Sequence, residues 1–201
     1  VEPYLGLFRL FSHLEAYTDP QTVAAWLQQS HPLFSGYFYA GQLRENRRTE
    51  EADTLLNVLL SNPGPVPRTA LLLEKARVRY AQGQGEEGQV LIDRAIERMS
   101  TPLDAALLFH DFKYILDNAE LNQYFTLRSV EEQQAFFRAL WTSRDPMPAR
   151  PENLRLTQHY ERLAEADRTY RFVGLRSWHS NPDAGNDLQM PDVAFLNQEY
   201  N

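Results

Sequence analysis

The chain of 201 residues contains no cysteine. That excludes disulfides, thiolate metal sites and cysteine nucleophiles together. Lysine is nearly missing too: Lys75 and Lys113 are the only two, so 18 of the 20 basic residues are arginine. The bias reads as coding composition rather than as a binding device. The 27 acidic residues outnumber the basic ones and leave a net charge of −7. A phosphate backbone needs a basic face, so nucleic acid is not an expected partner. Long apolar runs are also lacking. Ala105 to Phe109 is among the longest, far short of the ~20 residues that span a bilayer. Phosphate-binding loops, dinucleotide fingerprints and the G-x-S-x-G elbow are absent.

What is present suffices for a core. Hydrophobic residues make up 43% of the chain and aromatic ones 12%, which excludes wholesale disorder. Helical period dominates from the start. Tyr4, Leu7, Phe8, Phe11 and Leu14 form one apolar stripe, and Asp19-Pro20 opens a second helix. Further helices are expected over about 33–46, from a Thr49 cap through Leu60, over 69–81, 86–99, from Thr101-Pro102 to about Leu116, and over 152–172. Ser129-x-x-Glu132 has the form of a capping box before Phe136, Phe137, Leu140 and Trp141. No strand is expected. Residues 173–201 hold Gly174, Pro182, Gly185 and Pro191 without a period and read as an irregular arm.

A shift of 36 residues carries Thr49-Glu50-Glu51-Ala52 onto Gly85-Glu86-Glu87-Gly88, Leu55 and Leu56 onto Leu91 and Ile92, and Ala40 onto Ala76. Small residues at Ala40, Ala52, Ala76, Gly88 and Ala95 would let helix axes approach where hairpins cross. The spacing resembles tetratricopeptide repeats, with Leu59 larger than that pattern uses. The expected fold is therefore all-α: an antiparallel, tetratricopeptide-like hairpin array over 4–100, a second helical region over 101–172, and the arm over 173–201. An irregular helical array is the alternative.

Residues 111–172 carry a more specific pattern. Asp111-Phe112-Lys113-Tyr114 leads through Glu120 and Tyr124-Phe125 to Trp141-Thr142-Ser143-Arg144-Asp145-Pro146, then Pro151-Glu152-Asn153 and Tyr160-Glu161-Arg162. This resembles the bacterial GWxTD-domain family. The resemblance implies an exported or envelope-associated protein without established catalysis, and marks Trp141, Arg144, Asp145, Pro146, Pro151, Glu152 and Asn153 as its motif residues. The family's naming Gly-Trp-x-Thr-Asp segment is missing, which implies either part of a longer protein or a shortened member. Val1 is not an initiator methionine, leaving room for a signal segment or lipid anchor upstream. The cytoplasm is the alternative compartment. Physically, Asp145 before proline should end the helix carrying Trp141 and accept backbone N–H groups, while Arg144 bridges to an acidic neighbour. A rigid helix–helix corner is the expected role.

Chemistry-bearing constellations are few. None of the five histidines pairs with another at helical metal-ligand spacing. His110 and Asp111 are adjacent, so their side chains diverge on a helix. His159 and Tyr160 sit among charges and are expected on the surface. Arg44, Arg47 and Arg48 lie among Glu45, Glu50 and Glu51 and read as a salt-bridged surface. The oxygen-rich Asn181–Asp187 stretch reads as a solvated turn, with calcium as the alternative. No catalytic, cofactor or metal residue is expected. Candidate partner contacts are Tyr37 and Tyr39 in the ring-rich segment, and Leu188, Met190, Phe195 and Tyr200 in the arm. The expected function is a non-catalytic protein–protein interaction or scaffold protein. A structural subunit of a larger complex is the alternative. A hydrolase using carboxylates such as Asp111 and Glu120 is a weaker one.

Overall fold

The computed structural model describes residues 32–64 and 66–166, the side chains of 32–34 excepted. Among the described residues the fold is all-α, with no strand. The helices are α1 (Pro32–Glu45), α2 (Thr49–Ser61), α3 (Arg68–Ala81), α4 (Gly85–Glu97), α5 (Pro102–Phe112), α6 (Asn118–Thr126) and α7 (Val130–Arg144), with a 3-10 turn at Lys113–Ile115. A further helix, α8, covers residues 154–166 among those described. The arm at 173–201, with Leu188, Met190, Phe195 and Tyr200, lies outside the described residues, as do the first two expected helices.

Helix α1 packs on α2, α2 on α3 and α3 on α4. Connections this short between packed helices make antiparallel hairpins. Helices α1, α3 and α5 also pack side by side, and α7 packs on α4 and α5. The limits of α3 and α4 are those of α1 and α2 displaced by 36 residues. The ends repeat as well. Arg48 N–H donates to Leu43 O at 2.8 Å and Arg47 N–H to Arg44 O at 3.0 Å; Gln84 N–H donates to Arg79 O at 2.9 Å and Gly83 N–H to Tyr80 O at 3.0 Å. Both helices thus close in the Schellman pattern, with a left-handed residue past the end. That residue is Gly83 (φ 73°) in the second hairpin but Arg47 (φ 62°) in the first.

The small residues lie inside: Ala40, Ala52, Ala76 and Ala95 are fully buried. A Cβ on Gly88 would meet the Tyr80 ring at 2.8 Å. Leu59, large for its register position, is accommodated by Gly36, where a Cβ would lie 3.2 Å from a Leu59 methyl. At the equivalent positions Leu72 and Ala95 the large and small residues are exchanged. Interiors pack to crystal-like density, so volume is kept by trading size across the pair.

The second half is built on rings. Phe112, fully buried, meets Phe137 at 5.7 Å and Trp141 at 5.0 Å, both edge-on. Tyr124 stacks on Phe109 at 4.3 Å. Such pairs contribute about 0.5–1.5 kcal/mol beyond area burial. Three helices start with complete capping boxes: Thr101 with Asp104, Asp117 with Glu120, and Ser129 with Glu132. By contrast, α2 begins at Thr49 without a side-chain cap, its N-cap position being Arg48.

Candidate functional site

A cluster of buried charged side chains lies where α1, α3, α5 and α8 meet. Glu74 on α3 is buried beneath Arg44 of α1, whose Nε donates to Oε1 at 2.7 Å, and its own neighbour Arg77, whose Nη1 donates to Oε2 at 2.8 Å. Arg77 Nη2 reaches on to Oδ1 of Asp111 on α5. From α8, the Tyr160 hydroxyl donates to Asp111 Oδ2 at 3.0 Å, and His159 Nε2 donates to the Asp111 carbonyl at 2.9 Å. One ionic line therefore crosses four helices. Its two carboxylates face two guanidiniums, so the line is neutral.

Burial would raise the Glu74 pKa, but Arg44 and Arg77 outweigh it and hold the carboxyl at about 2. Burial raises the hydroxyls of Tyr37 and Tyr160, with Glu74 and Asp111 respectively adding to it. Burial lowers His159, against the pull of Asp111. Tyr160 stacks on Tyr80 at 4.6 Å. A recess lined by Arg44, Arg77, Tyr160, Leu163 and Ala164 has room for about one water molecule. Both oxygens of Glu74 and of Asp111 accept from donors within the protein.

Several sequence expectations are corrected. His159 and Tyr160 are buried, not on the surface; their flanking charges point away while these two meet α5. Tyr37 is 6% exposed and packs edge-on to Phe38 at 5.4 Å, so little of it is open to a partner. Tyr39, on the other side of α1, is 43% exposed. Arg44 is drawn inward to Glu74; its distance to Glu45 is 3.8 Å. Arg48 does pair at the surface, with Glu51 at 2.6 Å.

The motif residues form a corner between α7 and α8. Arg144 donates to the Ile115 carbonyl at 2.8 Å and to Glu120 at 2.6 Å, tying the end of α7 to the start of α6. Asp145 adopts an extended backbone (ψ 114°), as a residue before proline does, and accepts from Met147 N–H at 2.9 Å. Pro146 and Pro151 are exposed and turn the chain. Glu152 accepts from the Thr157 hydroxyl at 2.6 Å, and its carboxylate lies against Gly85 at the positive end of α4. Any side chain at Gly85 would displace it. Asn153 is the pivot. Its amide donates to the Trp141 carbonyl at 2.9 Å, its oxygen accepts from the N–H groups of Arg155 and Leu156, and its own N–H donates to Gln89 at 2.5 Å. Trp141 is buried against Phe112 and lies 5.7 Å from the His159 ring.

Glu74, Arg77 and Asp111 were not legible as a set. A signal existed in α3, where Leu71, Leu72 and Leu73 occupy consecutive positions. Three apolar residues in a row span most of a helix's circumference, so α3 is buried on more than one side and the charges it carries there need partners. Among the described residues no group of three or more His, Asp or Glu gathers to hold a metal, and no helix is long and apolar enough to cross a membrane. No family model matches the chain, and neither does any curated protein or solved structure.

Proposed function

We propose that the chain is a non-catalytic protein–protein interaction or scaffold protein. On its resemblance to the GWxTD-domain family over residues 111–172, we place it in the bacterial cell envelope. The observation that carries the reading is a ring platform on α5 and α6. Phe125 is 58% exposed, yet it is held edge-on to Phe109 at 5.6 Å, and Phe109 stacks on Tyr124. An aromatic ring presented to solvent with its motion already restricted is the kind of anchor that interfaces use. The hairpins with equal helix limits support a tetratricopeptide-like scaffold, whose stacked surfaces serve binding. The commitment of Asp111 to Arg77 and of Glu120 to Arg144 weighs against a carboxylate-dependent hydrolase.

The test is quantitative co-purification of tagged chain and of its Phe125→Ser variant, each with its mass measured in solution. Loss of a specific companion protein in the variant, with an unchanged melting curve, supports the reading. Identical companions in both contradict the role given to Phe125. A chain that exists only in a stable assembly favours the structural-subunit alternative.

A further inference from the structure

Helix α8 buries few side chains against the body, with Leu163 packed part-buried beside them. Of its residues 154–166 only Leu156, His159 and Tyr160 are buried. Two of these three are polar, and both bind the same residue, Asp111: His159 through the backbone carbonyl and Tyr160 through the carboxylate. Asp111 is thus a double clasp. Nε2 carries the hydrogen that the carbonyl accepts, so in the neutral ring Nδ1 is the bare nitrogen. Around that ring lie Phe112 at 5.8 Å and Trp141 at 5.7 Å. The charged and titratable groups facing it are Asp111 on α5, Arg77 on α3, Arg144 on α7 and Tyr160 on α8 itself. The Asp111 carboxylate already accepts from Arg77 and from Tyr160, so its charge is matched by the guanidinium.

We propose that His159 makes the attachment of α8 acid-labile, so that mild acid frees this helix from the hairpin body before the body unfolds. A proton on Nδ1 would place a third cation beside Arg77 and Arg144 in an apolar ring cage. The charged ring is better solvated when α8 is off. Release would withdraw Tyr160 from Asp111 and uncover Arg77, Glu74 and Arg44, an alternating line of charge on one face of α1, α3 and α5. The sign follows from linkage. A histidine whose folded pKa is lowered keeps its full stabilisation above its free value of about 6.5 and loses it as pH falls below that. For one proton, the open population of α8 rises by up to about tenfold per pH unit in that window.

Hydrogen exchange by mass spectrometry on the full chain, corrected for the intrinsic pH dependence of exchange, reads this directly between pH 7.5 and 5. The expected result is faster opening of 154–166 below about pH 6.5, with α3 unchanged and the slope abolished in His159→Gln. Three outcomes overturn the proposal: opening independent of pH, a slope retained in His159→Gln, or α3 opening in step with α8. Should that variant not fold, proton NMR titration of His159 in the unaltered chain decides. A midpoint below the free value supports the proposal, and one at or above it overturns it.

Discussion

The two halves of the molecule hold their helices by different means. From α1 to α4, none of the described N-caps supplies a side-chain acceptor: Arg48, Pro67 and Gln84 make no such bond. Order there comes from small residues at the crossings and from ion pairs between helices, including Arg79 to Asp53 at 2.9 Å. From α5 to α7, every helix begins with a capping box and the interior is a lattice of rings. The contrast teaches where specificity lies. Hairpin helices of 13 or 14 residues can rely on their neighbours, because long packed faces define them. A helix of nine residues such as α6 is too short to be stable alone, so its ends must be fixed locally.

The largest effect that would break this comparison is at Glu74. Glu74→Ala leaves Arg44 and Arg77 buried without their carboxylate and should cost about 3–5 kcal/mol in chemical denaturation. The same residue sets an acid response. Its folded pKa is depressed to about 2, so its contribution is complete above the unfolded carboxyl value of about 4.3 and drains away as pH falls from there toward 2. Stability of the unaltered chain should therefore fall across that window more steeply than that of Glu74→Ala.

Next in size is overpacking of the hairpins. Ala76 is fully buried, and Ala76→Phe should cost about 1–3 kcal/mol. An unmoved melting curve would show that the crossings have slack. The caps give a sharper paired test. Ser129→Ala removes an acceptor for Glu132 N–H and should cost about 1 kcal/mol. Thr49→Ala removes no cap and should stay within about 0.5 kcal/mol. The smallest effect is a gain. Arg47 holds a left-handed backbone that Gly83 supplies at the equivalent place, so Arg47→Gly should stabilise the chain by up to about 1 kcal/mol.

Much of the fold was legible because periodicity and punctuation are local. The Ser129 box, the Thr101-Pro102 start and the hairpin limits all stand in the sequence within a turn of where the helices begin. Helix α6 went unread although Asp117-x-x-Glu120 has the same capping form as Ser129-x-x-Glu132. The ionic line was beyond reach for another reason. Arg44 reaches Glu74 and Arg77 reaches Asp111 across 30 and 34 residues, and each arginine has a nearer acidic residue that a sequence reading prefers. For Arg44 that reading is incomplete: Glu45 lies at 3.8 Å, but the short bond, 2.7 Å, goes to Glu74. His159 and Tyr160 were misplaced because Glu161, Arg162 and Glu165 surround them in sequence while exposing the opposite face of α8. Tyr37 and Tyr39 differ by two positions, enough on a helix to put one inside and one out.

We take the ionic line from Arg44 to Tyr160 to be a strut joining α1, α3, α5 and α8. A double-mutant cycle on Arg77→Met and Asp111→Asn, read by denaturant unfolding, tests it most directly. A strut predicts strong non-additivity, with the double variant recovering about 1 kcal/mol or more relative to the sum of the singles. Costs that simply add, to within about 0.3 kcal/mol, would contradict it.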